Sequence, residues 1–333
     1  MKRRRFIKNI AFVSTAFAVN GCAYDPSRVL DVTFFVAADT HFDPPPDSDT
    51  YYHIRAMNRI PNEVIWPQNI DGKLTEFGSV GKKVDTPKGI VLAGDILDKA
   101  DAGALELFRQ RYEQGPGDKQ INYPVYIGLG NHDINPVIDE SEKQKGRRRM
   151  WNYLEERHNG ESAPVPVTNF DAASRNYSWD WDGLHLVQTH LFAGATSEDQ
   201  PNSLKWLKDD LTNYASDGSP VVIIQHYGFD SWALNWWTAK ERSELFAILK
   251  KYNVVAVIAG HSHYADNLEW EGIPVFQVNN AWPEIGNGNN DGNGSFAMFR
   301  ITNDFIDMAT CRWKNGNGEV DIVEPFYSKK YNK

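Results

Sequence analysis

The chain has 333 residues, 41% of them hydrophobic, and its 44 acidic side chains against 35 basic ones give a formal net charge of −9. That length and apolar content suffice for one large core, while the negative charge repels polyanions and speaks against a nucleic-acid partner. Cys22 and Cys311 are the only cysteines, so a disulfide framework is excluded as the source of stability.

In chain order, residues 1–21 read as an export signal. A basic start, Arg3-Arg4-Arg5, precedes an apolar run over residues 10–19, about half the ~20 residues a helix needs to cross hydrocarbon. Arg3-Arg4-Arg5-Phe6-Ile7-Lys8 resembles a twin-arginine signal, and Val19-Asn20-Gly21-Cys22 resembles a lipobox whose Cys22 becomes the lipidated first residue. The expected organisation is therefore a signal peptide over 1–21, a tether over 22–30 and one folded domain over 31–333, exported and anchored in a membrane through Cys22. Loss of the leader removes five basic residues, so any phosphate the mature chain handles must be attracted locally, by bound cations.

The rest of the chain repeats one event: a β-rich apolar run stops on a side chain that can bind metal. VTFFVAAD closes on Asp39, with His41 two residues on. Residues 43–88 are irregular, and 51–60 read as a helix stopped by Pro61. GIVLAGD then closes on Asp95, the candidate for the middle of the site, because a run ending Gly-Asp delivers a carboxylate to the carboxyl edge of a sheet. A helix over 102–113 follows, through Leu105, Phe108 and Tyr112.

A strand over 123–129 leads to Asn131, His132 and Asp133, and a charged helix spans about 138–158. Its Arg147-Arg148-Arg149 reads as a solvated face rather than a phosphate clamp, since adjacent helical residues point in different directions. Residues 177–182 and 184–191 form a hairpin about Asp182-Gly183. Leu204, Leu207 and Leu211 mark an amphipathic helix, and a strand over 221–225 ends at His226. The aromatic stretch after it, including Trp232, Trp236 and Trp237, is either core or a wall that grips the organic part of a substrate. A helix over 241–252, a strand over 254–259 ending at His261 and His263, a strand over 275–278, a glycine-rich loop over 286–294 and a hairpin over 295–302 and 305–313 complete the series. Strands alternating with helices and then a strand-rich end imply two packed sheets flanked by helices. Carboxylate, amide oxygen and imidazole converging from several strand ends describe a metal centre.

Asp39-Thr40-His41, Gly94-Asp95-Ile96-Leu97-Asp98, Gly130-Asn131-His132-Asp133, Gln225-His226 and Gly260-His261-Ser262-His263 together resemble the ordered signature of the calcineurin-like metallophosphoesterases. The resemblance implies an α/β, four-layer α/β/β/α sandwich of two mixed sheets flanked by helices, with a dinuclear site at the carboxyl edge of the strands. It implies that Asp39, His41, Asp95 and His263 bind one divalent ion and Asp95, Asn131, His226 and His261 the other, the pair being manganese, iron, zinc or magnesium. It further implies hydrolysis of a phosphoric ester by a metal-bridging hydroxide, with His132 acting on the leaving group and the Asp98 carboxylate holding the other ring nitrogen. His53, His158, His185 and His190 receive no role.

Departures from two subfamilies bear on the substrate. Lys99 follows Asp98 and Leu129 precedes Gly130, where the protein Ser/Thr phosphatases carry arginines, and Asp98 stands where purple acid phosphatases carry a tyrosine. The expected substrate is a small organic phosphate mono- or diester. The alternative is a non-catalytic, metal-stabilised binding lipoprotein at the cell surface, which would need neither His132 nor Asp98.

Overall fold

Two sheets are built from strands that are apolar on both faces where they run parallel and half-polar where they reach an edge. The computed structural model describes residues 29–43, 51–67, 78–194, 196, 199–281, 294–314 and 316–330. The export signal, Cys22 and most of the tether lie outside the described residues, as does the glycine-rich stretch up to residue 293.

The chain enters through β1 (Asp31–Ala37), α1 (Tyr52–Glu63), β2 (Ile90–Leu92), α2 (Ala102–Tyr112), β3 (Val125–Ile127), the short α3 (Asn131–Ile134) and α4 (Glu140–His158). It continues through β4 (Asn169–Phe170), β5 (Tyr177–Trp181), β6 (Leu184–Gln188), α5 (Leu204–Tyr214), β7 (Val221–Ile224), a 3-10 turn (Ala233–Asn235), α6 (Ala239–Leu249) and β8 (Val254–Ala259). It closes with β9 (Asp266–Trp270), β10 (Ile273–Gln277), β11 (Ser295–Thr302), β12 (Phe305–Trp313) and β13 (Val320–Lys330).

Among the described residues, one sheet runs β13-β12-β11-β1-β2-β3 and the other β4-β5-β6-β7-β8-β10-β9. In the first, β1, β2 and β3 are parallel and β11 to β13 are antiparallel. In the second, β6, β7, β8 and β10 are parallel. Parallel strands are covered on both faces, which is why β2, β7 and β8 read as unbroken Ile/Val/Leu/Ala runs.

The sheets meet through aromatic side chains: Tyr126 of β3 stacks on Trp179 of β5 with centroids 4.3 Å apart, Phe34 of β1 lies 5.6 Å from Trp181, and Phe276 of β10 meets Phe299 of β11 at 5.2 Å. Helices cover the outer faces, so the layer order is the α/β/β/α expected from the sequence. Their starts are locally encoded: Asp101 accepts the Gly103 and Ala104 N–H groups at the head of α2, and Thr238 with Glu241 forms a capping box on α6.

Three expectations change. The first helix does not stop at Pro61 but runs to Glu63, with the Val64 N–H closing on the Ile60 carbonyl at 3.0 Å. The proline forgoes one helical hydrogen bond in the final turn, while Ile54, Met57 and Ile60 stay buried, so packing outweighs the loss. The arginine triplet is not simply solvated. Arg147 Nε donates to the Ile134 carbonyl at 2.8 Å and its Nη1 pairs with Asp199 at 2.7 Å, while Arg149 donates to the Ala100 carbonyl. Strands β4, β9 and β13 lie where the sequence suggested none; β9 and β13 are half-exposed edges whose apolar alternation is short, Leu268 with Trp270 and Val320 with Ile322. Among the described residues no helix is long and apolar enough to cross a membrane.

Candidate metal centre

The backbone after β1 and β2 continues to pair beyond the strands. The N–H groups of Asp39 and His41 donate to the carbonyls of Gly94 and Asp95 at 2.9 and 3.1 Å, so the two carboxylates leave adjacent strand ends side by side. Asp39, His41, Asp95, His261 and His263 all have positive φ, between 40° and 76°, a left-handed conformation that costs a non-glycine residue stability and recurs at functional sites. Gly94 and Gly130 complete the close approach: a Cβ on Gly94 would fall 2.4 Å from His226 Nδ1, and one on Gly130 2.2 Å from Asp95 Oδ1.

The residues named from the sequence fall into two adjoining groups, Asp39 with His41 and His263, and Asp95 with His226 and His261. In the first, His41 Nε2 lies 3.1 Å from His263 Nε2, which lies 3.4 Å from Asp39 Oδ1. In the second, His226 Nε2 lies 3.1 Å from Asp95 Oδ2, 3.2 Å from Asn131 Oδ1 and 3.2 Å from His261 Nδ1. Asp95 Oδ2 is also 4.0 Å from His41 Nε2, so this oxygen faces both groups.

This donor set fits divalent cations. Ligand atoms 2.0–2.1 Å from a shared tetrahedral centre stand ~3.3 Å from one another, and the close edges here run from 3.1 to 3.4 Å. Asp39 Oδ1 is buried with no hydrogen-bond donor, a costly state for a carboxylate oxygen unless positive charge meets it. Outer contacts aim the ligands: His226 Nδ1 donates to the Ala93 carbonyl at 2.8 Å, turning Nε2 to the centre, and Asp39 Oδ2 and Asp95 Oδ1 accept the N–H groups of His261 and His132 at 2.9 and 2.8 Å. Burial works to raise Asp95, but the charges of His226, His132 and His41 overcome it and hold the carboxyl well below the usual range. Burial alone would lower His226, yet Asp95 pushes it up to about 9.

His132 lies beside His41, their ring centroids 4.7 Å apart, and these two with Asp98 form a third cluster of metal-binding residue types. The His132 Nδ1 lies 2.9 Å from the backbone carbonyl of Asp98 and 3.4 Å from the Asp98 carboxylate. The carboxylate is itself 2.7 Å from Lys99 Nζ, so the main chain, not the carboxylate named from the sequence, makes the shorter contact. Burial lowers His132, but the Asp98 hydrogen bond and the charge of Asp95 push it up to about 10. The ring lines a cleft of about 580 Å³ that opens over Asp95, Asn131, His261 and His263.

The positioning role of two residues was not read from the sequence. Asp133 accepts the N–H groups of Ile96 and Gly130 on Oδ2 at 3.0 and 2.9 Å and that of Leu97 on Oδ1 at 2.9 Å, tying the Asp95 loop to the Asn131 loop. His190, at the end of the β6 extension, accepts the Leu129 N–H on Nδ1 at 3.2 Å and offers its carbonyl to the His226 N–H at 2.6 Å. Asp133 shares a block with Asn131 and His132, a signal that could have found it. His53, His158 and His185 lie elsewhere, His185 between Asp180 and Asp210.

A family model described as calcineurin-like phosphoesterase matches residues 32–265. The chain is 28% identical over 193 residues to a cAMP/cGMP dual specificity phosphodiesterase of Mycobacterium tuberculosis, covering 57% of this chain and 52% of that protein. It is 25% identical over 199 residues to a probable cyclic nucleotide phosphodiesterase of Rhodococcus erythropolis, covering 57% and 56%. The chain thus spans about half the length of the curated relatives it matches. In fold it is similar to GAP50, the anchor in the inner membrane complex of Plasmodium, with a TM-score of 0.56 at 12% identity over 91% of this chain and 89% of that one. It is also similar to a dimetal phosphatase from Danio rerio, with a TM-score of 0.52 at 13% identity over 90% and 99%. With the family model matched from β1 to beyond the last histidine of the cluster, this chain belongs to the calcineurin-like phosphoesterase family.

Proposed function

We propose that this chain hydrolyses a small organic phosphate ester, mono- or diester, with two divalent cations held at the strand-end cluster. The observation that carries the reading is the single oxygen, Asp95 Oδ2, within 3.1 Å of one ligand group and 4.0 Å of the other, at the floor of a cleft that also presents His132. Asp39, His41, Asp95 and His263 hold the first ion, and Asp95, Asn131, His226 and His261 the second. The mixed oxygen and imidazole donors suit manganese, iron, zinc or magnesium.

When bound, the cations supply electrophilic charge to the phosphoryl group and lower the pKa of water near it. The chain's own residues do the rest. Asp95 and Asp39 fix the separation of the two groups, and Asp133 and His190 fix the loops that carry Asn131 and His226. As a water oxygen forms the new bond to phosphorus and gives up a proton to solvent, the bond to the departing oxygen breaks and His132 gives that oxygen the proton on Nε2, while Nδ1 stays on the Asp98 carbonyl.

The export signal over 1–21, the tether over 22–30 and lipidation at Cys22 complete the proposal, placing the hydrolase outside the cytoplasm on a membrane; Cys22→Ser should release it from the membrane fraction, and equal association of both forms would remove the anchor from the reading. Activity is tested on metal-loaded protein with a chromogenic monoester and diester, with and without manganese. Turnover that follows the metal is expected. Failure to cleave either ester with two equivalents of metal bound would overturn the assignment.

A further inference from the structure

Trp232 and Trp236 are 49% and 39% exposed, and both line the cleft above the metal centre. Large apolar side chains stabilise a fold by leaving water, so two half-open indoles beside a set of candidate ligands call for an explanation in function.

They are not loose surface groups. Asp230 Oδ1 accepts the N–H groups of Trp232 and Ala233 at 2.9 and 3.1 Å, and its Oδ2 accepts the hydroxyl of Ser262 at 2.5 Å. Ser262 lies between His261 and His263, so the turn carrying the indoles is tied to the loop carrying two candidate ligands. Trp237 anchors the same turn from below, buried and donating Nε1–H to the Gly228 carbonyl at 2.9 Å. The Trp232 ring lies over the His261 imidazole with centroids 4.4 Å apart at 31°, and Trp236 meets it edge-on at 5.1 Å and 85°. One face of Trp232 is thereby fixed against His261, Trp236 stands across it with the two indoles inclined at 64° and centroids 6.0 Å apart, and both rings line the cleft.

The remaining lining points the same way. Val137, 96% exposed, stands in the cleft five residues after His132, and Tyr264 follows His263. No lysine or arginine is among the described residues that line it, and Lys99 is drawn to Asp98 and Asp43 at 2.7 and 3.4 Å. A monoester is largely a dianion above pH ~6, and protein sites that grip phosphate dianions recruit arginine or lysine beyond the metals. A diester carries one negative charge and a second organic arm, which suits a wall that is aromatic and uncharged.

We propose that Trp232 and Trp236 form a rigid stacking platform that selects phosphodiesters bearing a flat, uncharged aryl or heteroaryl arm over monoesters and over alkyl diesters. The inference rests on the hydrolytic reading of the adjoining centre and names its substrate class. The rigid turn matters because a platform ordered before binding adds no ordering cost on binding.

The test titrates the metal-loaded full chain with diphenyl, dimethyl and phenyl phosphate, following tryptophan fluorescence and heat of binding. Diphenyl phosphate is expected to bind about tenfold more tightly than dimethyl phosphate, the scale of one aromatic stack, and more tightly than phenyl phosphate. In Trp232→Ala and Trp236→Ala, compared at equal measured metal content, the ratio of diphenyl to dimethyl phosphate affinity should collapse toward one, and Trp232→Phe should restore part of it. Equal binding of diphenyl and dimethyl phosphate by the unaltered chain, or alanine variants that keep the aryl advantage, would overturn the platform. Turnover separates the two claims: faster kcat/KM on p-nitrophenyl phosphate than on bis(p-nitrophenyl) phosphate refutes the selectivity and leaves the hydrolase standing. Tryptophan-dependent binding without cleavage of either ester supports the platform and refutes the hydrolase.

Discussion

Replacing His132 by asparagine removes the proposed proton donor while leaving every ligand group in place, because the His132 side chain makes none of the short contacts within the two ligand groups and its backbone N–H, which Asp95 Oδ1 accepts at 2.8 Å, survives the change. General-acid help is worth roughly 10² to 10⁴ in rate, or about 2.7 to 5.5 kcal/mol, so His132→Asn should lower kcat by that factor on an alkyl ester and far less on an ester of an acidic phenol, whose oxygen leaves without a proton. The structure sets a second, smaller magnitude. Asp98→Asn keeps the carbonyl contact at 2.9 Å and loses the charge at 3.4 Å. That carboxylate is 29% exposed and already neutralised by Lys99, so solvent screening leaves about 1 kcal/mol, near the upper end for exposed pairs and equivalent to roughly fivefold in kcat. The assay is steady-state kinetics of both variants on matched alkyl and nitrophenyl esters, with metal content measured on the same samples. Loss of a metal from His132→Asn, equal slowing of the two ester types, or an Asp98→Asn as damaged as His132→Asn would each refute the division of labour.

Other outcomes follow from the same contacts. Asp95→Ala should lose both metals, since one oxygen serves both groups, and retention of two equivalents per chain by elemental analysis would contradict the shared ligand. Burial and the Asp95 charge push Asp133 up to about 7, so Asp133→Asn mainly loses an acceptor for one of three N–H donors and should cost about 1 to 3 kcal/mol in denaturant unfolding, the penalty of a buried donor left unpaired; a cost under about 1 kcal/mol would show that the loops hold without it. His185 is lowered by burial but pushed up to about 9 by its bonds to Asp180 and Asp210. Its folded pKa is thus above the ordinary 6.5, so its stabilisation of at most roughly 3 kcal/mol is full below pH 6.5 and lost as pH rises through 9. The stability gap between the unaltered chain and His185→Gln should narrow over that window, and a gap independent of pH would refute the ionic triad.

What was legible in the sequence is what depends on short-range pattern. Apolar runs such as those before Asp39, Asp95 and His226 encode buried parallel strands, and their endpoints carry metal-binding residue types, so seven candidate ligands could be named from where strands stop. The parts that were not legible depend on contacts across long separations. Pro61 reads as a stop until the buried face of α1 outweighs it, and the apolar alternation of β9 and β13, Leu268 with Trp270 and Val320 with Ile322, is too short to mark a strand by itself. His190 gains its place only through Leu129, 61 residues earlier, and the setting of Trp232 only through Asp230 and Ser262, 32 residues apart.

The conformation of the ligands themselves is the sharpest case. Asp39, His41, Asp95, His261 and His263 each adopt positive φ, which local propensity disfavours by about 1 to 3 kcal/mol apiece. Asp39 and His41 are held by N–H bonds to the Gly94 and Asp95 carbonyls and His261 by its N–H bond to the Asp39 carboxylate, all of them made between strand ends. A strand end is therefore readable as chemistry from its residues, whereas its backbone is set by the second strand beside it, and a substitution that weakened that pairing would relax the ligands toward extended geometry before it unfolded the sheets.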